Sequence, residues 1–424
     1  MGDAIQQLRD PSISFSSIAV IAVVALLAPV LVNLAPKLRL PAVALEIVIG
    51  VIVGPSGLGW LEIDLPVIVL SLFGIAFLLF LAGLEIDPPR LRGRLGTITI
   101  AFVASCALAI GIAYALQPVE TIRNPLFVAI MLASTSLGLI VPVIRDAGEI
   151  ETEFGQTVLA ASSLAEFGTI LLLSIFFSTS SSGSSGLGSK IFLLAGFSVL
   201  VVFVGIGMME AGRSLRVSKT LMALENTSAQ LGVRVAILLL ALLVALAGEL
   251  GIETILGAFI AGALLRIVDP EHRLTHVEFR RKVEAIGYGF VIPVFFVSSG
   301  ARFDVEALVN SPGHLALIPL FLLAILVIRG VPALFYRKYF SSRRVAAAGL
   351  LQATSLTFVV VAARLGLELK VFDEASGATL VAAGLLSVIV FPPIALWLLG
   401  DGDMAGDEVD ELTRGDELGG ATPA

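Results

Sequence analysis

Apolar residues run through this chain in blocks long enough to cross a bilayer, separated by short polar connections. A hydrocarbon core takes about 20 apolar residues in a helix. Windows of that kind lie at 14–34, 39–55, 65–83, 96–116, 125–143, 153–177, 190–210, 232–248, 253–267, 283–300, 314–336, 344–364 and 374–400. Backbone groups in lipid must be satisfied within the segment, so the pattern predicts an all-α polytopic membrane protein of about thirteen transmembrane helices. The second and ninth windows are short and glycine-rich.

Positive charge orients the windows. Of the 27 Lys and Arg residues, 20 fall in alternate connections, among them Arg90, Arg92, Arg94 and Arg280-Arg281-Lys282, against 6 in the others. That asymmetry predicts an N-terminus outside and a C-terminus in the cytoplasm of a multi-pass cell-membrane protein. Composition agrees: the chain is 57% hydrophobic and 14% charged, where soluble domains carry about 25% charged residues. A soluble enzyme or a nucleic-acid binder is excluded. The lone Cys106 offers no disulfide or thiolate metal site, and no strand–Gly–helix nucleotide unit is visible, so no cofactor is expected. His272, His276 and His314 lie at rims or in loops, which leaves no buried histidine relay. Residues 401–424 read as an acidic, disordered cytoplasmic tail. The first window lacks a basic leader and a cleavage site, so it reads as a retained span.

The chain matches itself. Ser134–Val141 reads STSLGLIV and Ala353–Val360 reads ATSLTFVV, an offset that carries the first six windows onto the eighth to thirteenth. Phe80-Leu-Ala-Gly83 with Asp87 echoes Phe296-Val-Ser-Ser-Gly300 with Asp304. Six spans plus a connector at 190–210 make the two six-helix repeats enter the membrane in opposite senses. Inverted repeats of this kind place substrate near the midplane, beside interrupted helices. The fifth and twelfth windows are the natural places for interruption, because Ser134, Thr135, Ser136, Thr354, Ser355 and Thr357, with Gln352, can re-satisfy freed backbone groups.

Two charges sit mid-window: Glu166 in Leu159–Phe177 and Arg329 in Leu315–Phe335. A charge at a bilayer centre costs roughly 2.5–3.5 kcal/mol on insertion scales, and such residues mark ion or proton paths. Ser162, Ser163 and Glu166 share one helical face, with Thr169 a turn further on. A carboxylate beside hydroxyls can hold a monovalent cation or a proton in alternation. Arg329 stays charged under burial, which suits a fixed counter-charge or a brace on broken-helix carbonyls. A permanent Glu166–Arg329 pair is the alternative. Glu46, in the second window, lines a vestibule or snorkels to the interface.

These residues carry a resemblance. Pro41–Pro55 with Gly57-Leu58-Gly59, Phe80–Asp87, Leu256–Gly262 and above all Pro293–Gly300 (PVFFVSSG) resemble the second, Kef-type branch of the monovalent cation:proton antiporter superfamily. The resemblance implies a homodimer with a dimerisation part (about 14–83 and 232–300) and a moving core (about 96–177 and 314–400), with the fifth and twelfth spans unwound where they cross. It also implies that Glu166 takes the place of the family's essential ion-binding carboxylate. The residue before it, Ala165, departs from the polar partner usual there, and Arg329 falls where several relatives carry a membrane-embedded lysine.

The resulting expectation is a secondary antiporter, not an enzyme, exchanging Na+ or K+ for H+ by elevator-type alternating access. Glu166 would be the transported metal's carboxylate ligand, with Ser163, Ser162, Thr135, Ser136, Thr354, Ser355 and Gln352 around it and Arg329 as counter-charge. Two other classes are a sodium-coupled organic anion symporter and, given Ala165, a non-transporting membrane sensor.

Overall fold

The computed structural model of the chain describes residues 15–34, 41–85, 93–117, 124–177, 230–250, 254–268, 277–303 and 312–400, with a few isolated positions between. All regular structure among them is helical. The helices are α1 (Ser16–Leu34), α2 (Ala42–Val53), α3 (Leu65–Glu85), α4 (Leu95–Ala115), α5 (Pro125–Leu132), α6 (Leu137–Asp146), α7 (Glu153–Phe177), α8 (Leu231–Glu249) and α9 (Thr254–Val268). They continue with α10 (Val277–Ile286), α11 (Ile292–Ala301), the single turn α12 (Pro312–Leu315), α13 (Ile318–Gly330), α14 (Ser342–Gln352), α15 (Thr357–Glu368) and α16 (Glu374–Leu399). Each predicted window except 190–210 holds a helix or a pair of half-helices. The connector 190–210, apart from Gly196, Phe203 and Ile206, lies outside the described residues, as do the tail 401–424, Asp87 and Asp304.

Nine segments among the described residues are long and apolar enough to cross a membrane, and α2 and α9 are shorter apolar helices. The chain is a multi-pass membrane protein. Outward faces stay apolar, as on α1, where Val23, Leu26, Leu27, Val30 and Leu31 are exposed; in lipid such a face carries no desolvation cost.

The helices sort into two groups by their packing. One contains α1–α3 and α8–α11, the other α4–α7 and α12–α16. Small residues set the first group. Gly83 of α3 and Gly262 of α9 each lie against the other helix's backbone, an approach any side chain would block. Gly50 abuts Val297 and Gly54 abuts Ala301, so α2 and α11 run in parallel. Ser298 donates to Ser71 Oγ at 2.8 Å, joining α11 to α3 inside the same group. Of the helix pairs in substantial contact among the described residues, α3 with α6 alone joins the two groups.

Two helices depart from the regular spans that the apolar pattern predicts. The tenth begins at Val277 rather than near 283, because Arg280 and Glu284, one turn apart, make α10 amphipathic and carry it into the interface. It then widens into a π turn at Gly287–Val291 before Pro293. Proline there has no N–H to give the preceding turn, and the two glycines resist little. The eleventh tightens into a 3₁₀ helix over Val331–Lys338, immediately after Arg329-Gly330, with Pro332 again withdrawing a donor.

Packing of the first group yields a paired prediction. Gly262→Leu overpacks the α3–α9 approach and should cost about 1–3 kcal/mol or more, read as a lower melting temperature and loss of a monodisperse peak in detergent. Gly111→Leu, on an exposed face with nothing within 4 Å of its Cβ position, should stay within roughly 0.5 kcal/mol of the parent.

Candidate cation and proton site at a helix crossing

Both Thr-Ser-Leu segments interrupt their helices. α5 stops at Leu132 and α6 starts at Leu137; α14 stops at Gln352 and α15 starts at Thr357. Hydroxyls at these positions offer the backbone alternatives to the helical ladder. Ser134 Oγ donates to Met131 O at 2.7 Å, and Thr354 Oγ1 to Leu350 O at 3.3 Å. The two breaks then bond each other. Ser136 N–H donates to Thr354 O at 2.9 Å, Thr135 Oγ1 donates to Gln352 O at 2.7 Å, and the Ser134 and Ser355 hydroxyls pair at 2.8 Å.

The crossing leaves two helix N-termini and two C-termini inside the membrane, each with unpaired backbone groups and a partial charge. Their partners differ. At the start of α6, Leu137 N–H donates to Glu166 Oε2 at 2.8 Å, from the next helix, α7. At the start of α15, Leu356 N–H and Thr357 N–H both donate to Ser136 Oγ, at 2.7 and 2.9 Å. A carboxylate therefore caps one repeat and a hydroxyl caps the other.

Arg329 serves the opposite end. Its Nη2 donates to Gln352 Oε1 at 3.3 Å, its Nε to Thr135 Oγ1 at 2.7 Å and its Nη1 to Ser105 Oγ at 3.0 Å. Thr135 passes the link to the Gln352 carbonyl, one of the last of α14. One guanidinium, 2% exposed, thus ties α4, α13, the first break and the end of α14. Glu166, equally buried, is not among its partners. The paired alternative does not describe this structure.

The remaining predicted residues separate into engaged and unengaged groups. Ser163 Oγ donates to Leu159 O at 2.8 Å and Thr169 Oγ1 to Ala165 O at 2.8 Å, so both donors return to their own helix. Ser355 N–H donates to Ser387 Oγ at 3.0 Å, from α16. Ser162 Oγ, one turn before Glu166 and fully buried, has no hydrogen-bond partner. Nor does the second Glu166 oxygen, Oε1, among the described residues. Ala165 is fully buried and adds no polar group. Glu46 is buried on α2, in the other helix group and without substantial packing against the crossing helices. No group of three or more His, Cys, Asp or Glu fit to hold a metal occurs among the described residues.

Three participants escaped the residue patterns. Ser105 is one polar residue in the apolar fourth window, and Ser387 one in the thirteenth; a mid-span hydroxyl was the available signal for each. The Leu137 N–H has no sequence signal, since nearly every residue carries one.

Residues 22–399 match the model of the family described as "Sodium/hydrogen exchanger, transmembrane". The chain is 32% identical over 398 residues to the putative Na(+)/H(+) antiporter YjbQ of Bacillus subtilis, a match covering 90% of this chain and 62% of that protein's length. It is 26% identical over 387 residues to the Na(+)/H(+)-K(+) antiporter GerN of Bacillus cereus, covering 88% of this chain and 94% of GerN. The fold resembles that of the sodium proton antiporter MjNhaP1 from Methanocaldococcus jannaschii, with a TM-score of 0.60 at 20% identity over 91% of this chain and 99% of that one. The chain belongs to the transmembrane sodium/hydrogen exchanger family.

Proposed function

We propose that the protein exchanges a monovalent cation, Na+ or K+, for H+, with Glu166 as the group that holds each in turn. The observation that carries this reading is the Glu166 carboxylate, seated on the Leu137 N–H and free of Arg329. That N–H needs only an oxygen acceptor, and Oε2 supplies one whether the side chain is ionised or protonated. Oε1 is then the exchange position. A proton neutralises it there, or an alkali ion does, with Ser162 Oγ as the nearest unengaged hydroxyl on the same helical face. Ser134, Thr135, Ser136 and Ser355 hold the crossing in shape around that site. The sodium and potassium named for the relatives are consistent with this chemistry.

Arg329 is the fixed part. It compensates the negative end of α14 and binds the four elements that must move together. The second helix group, α4–α7 with α12–α16, acts as the body that carries the site between the two membrane faces, against α1–α3 and α8–α11 in a homodimer. The N-terminus faces out and the C-terminus the cytoplasm, as the charge asymmetry indicates.

Three outcomes test this. Glu166→Gln in proteoliposomes should abolish cation-dependent dequenching of an internal pH dye; normal exchange by that variant would overturn the mechanism. Arg329→Lys supplies charge without the planar fork, so it should not restore the melting temperature lost in Arg329→Ala, where each orphaned buried acceptor costs about 1–3 kcal/mol. With a single carboxylate at the crossing, one positive charge moves each way per cycle. An imposed potential of about 100 mV, worth about 2.3 kcal/mol per net charge moved, should then leave the exchange rate unchanged. A potential-driven rate would contradict the one-charge site.

A further inference from the structure

α6 carries the crossing at one end and Arg145 at the other. Arg145 belongs to the helix group of the crossing, yet its ion-pair partners among the described residues belong to the other group. It pairs with Glu85 at the end of α3 and, at 2.8 Å, with Glu284 of α10. Arg280 of α10 closes the ring, 2.5 Å from the same Glu85 oxygen and 3.6 Å from Glu284. The Arg145 guanidinium also lies over the Tyr288 ring, 5.2 Å from its centroid. Glu85 is almost wholly buried, and the other three keep about a quarter of their side-chain surface.

Other ion pairs beside this cluster have a different character. Arg94 pairs with Glu153 and bonds Thr157, and Arg344 lies 3.6 Å from Glu149. Those contacts stay within the second helix group. The Glu85–Arg145–Arg280–Glu284 cluster instead spans the boundary, at the end of the one helix pair, α3 with α6, that joins the groups substantially among the described residues. Above it that pair meets through Gly138 and Leu78, an apolar contact with no hydrogen bond to hold it.

We infer that this cluster is a latch: closed here, it clamps the crossing helices to α3 and α10, and it opens in each transport cycle. Because both carboxylates are already engaged by guanidinium groups, the cluster is a clamp rather than a port for passing cations. The inference rests on the exchange reading above, in which one helix group moves against the other.

The experiment uses the full chain with Cys106→Ser, which removes the one native thiol. In one protein, Glu85→Cys and Arg145→Cys are joined by a short bis-methanethiosulfonate; in a second, Glu149→Cys and Arg344→Cys are joined the same way. Joining across the boundary should cut exchange about tenfold or more, reversibly on reduction, while joining within the group should change it less than about twofold. A separate arm needs no transport. Leu78→Cys, buried at the boundary, should react with a membrane-impermeant maleimide about fivefold faster or more when Glu85→Gln removes the shared carboxylate. Unchanged exchange in the boundary-joined protein, or an unchanged labelling rate, would overturn the latch. Because labelling does not depend on exchange, a failed Glu166 test leaves the second arm readable.

Discussion

Four helix ends lie inside hydrocarbon in this protein, and nothing else about it can be understood without asking what satisfies them. Buried within the bundle at that depth, most of their N–H and C=O groups need a partner from the chain. The two breaks supply most of it to each other through Ser136, Thr135, Ser134 and Thr354. What remains are the partial charges of the ends. A carboxylate meets the positive start of α6, and a guanidinium meets the negative end of α14.

Keeping these two charges apart is what makes the arrangement chemically useful. Bonded to one another, they would form a neutral pair with nothing to exchange. Held on different helix ends, Arg329 is committed to four elements while Glu166 keeps one oxygen without a partner among the described residues. The repeats are symmetric in sequence but not in chemistry. At the equivalent position of the second repeat, Ser136 caps the helix with a hydroxyl that has no charge to give up. In the proposed exchange, one half holds the exchanging carboxylate and the other supports it.

Much of this was legible from residue order. Long apolar blocks must be helices, and the twice-used Thr-Ser-Leu marks where two of them stop. Glu166 and Arg329 stand out because charges at that depth are costly. What residue order does not carry is the choice among partners. Thr135, Ser136 and Ser355 read as part of a cation's oxygen shell, yet each is engaged in the crossing, and Ser162, read into the same shell, is the hydroxyl without a partner. Backbone donors such as Leu137 N–H are invisible in a sequence because they are everywhere. Arg280 reads as a topological signal from its neighbours Arg281 and Lys282; only the fold brings it beside Glu85 and Arg145. The π turn at Gly287–Val291 likewise needed the helix to be built before Pro293 could be seen to widen it.

The most direct test of the central claim, one oxygen alternately held by a hydron and an alkali ion, is a count of protons released when the cation binds. Purified protein in weak buffer, titrated with NaCl or KCl against a choline control, should release about one proton per cation bound, falling toward zero as the buffer pH rises above the range where the site is protonated. Cation binding that releases no protons at any pH would contradict the account.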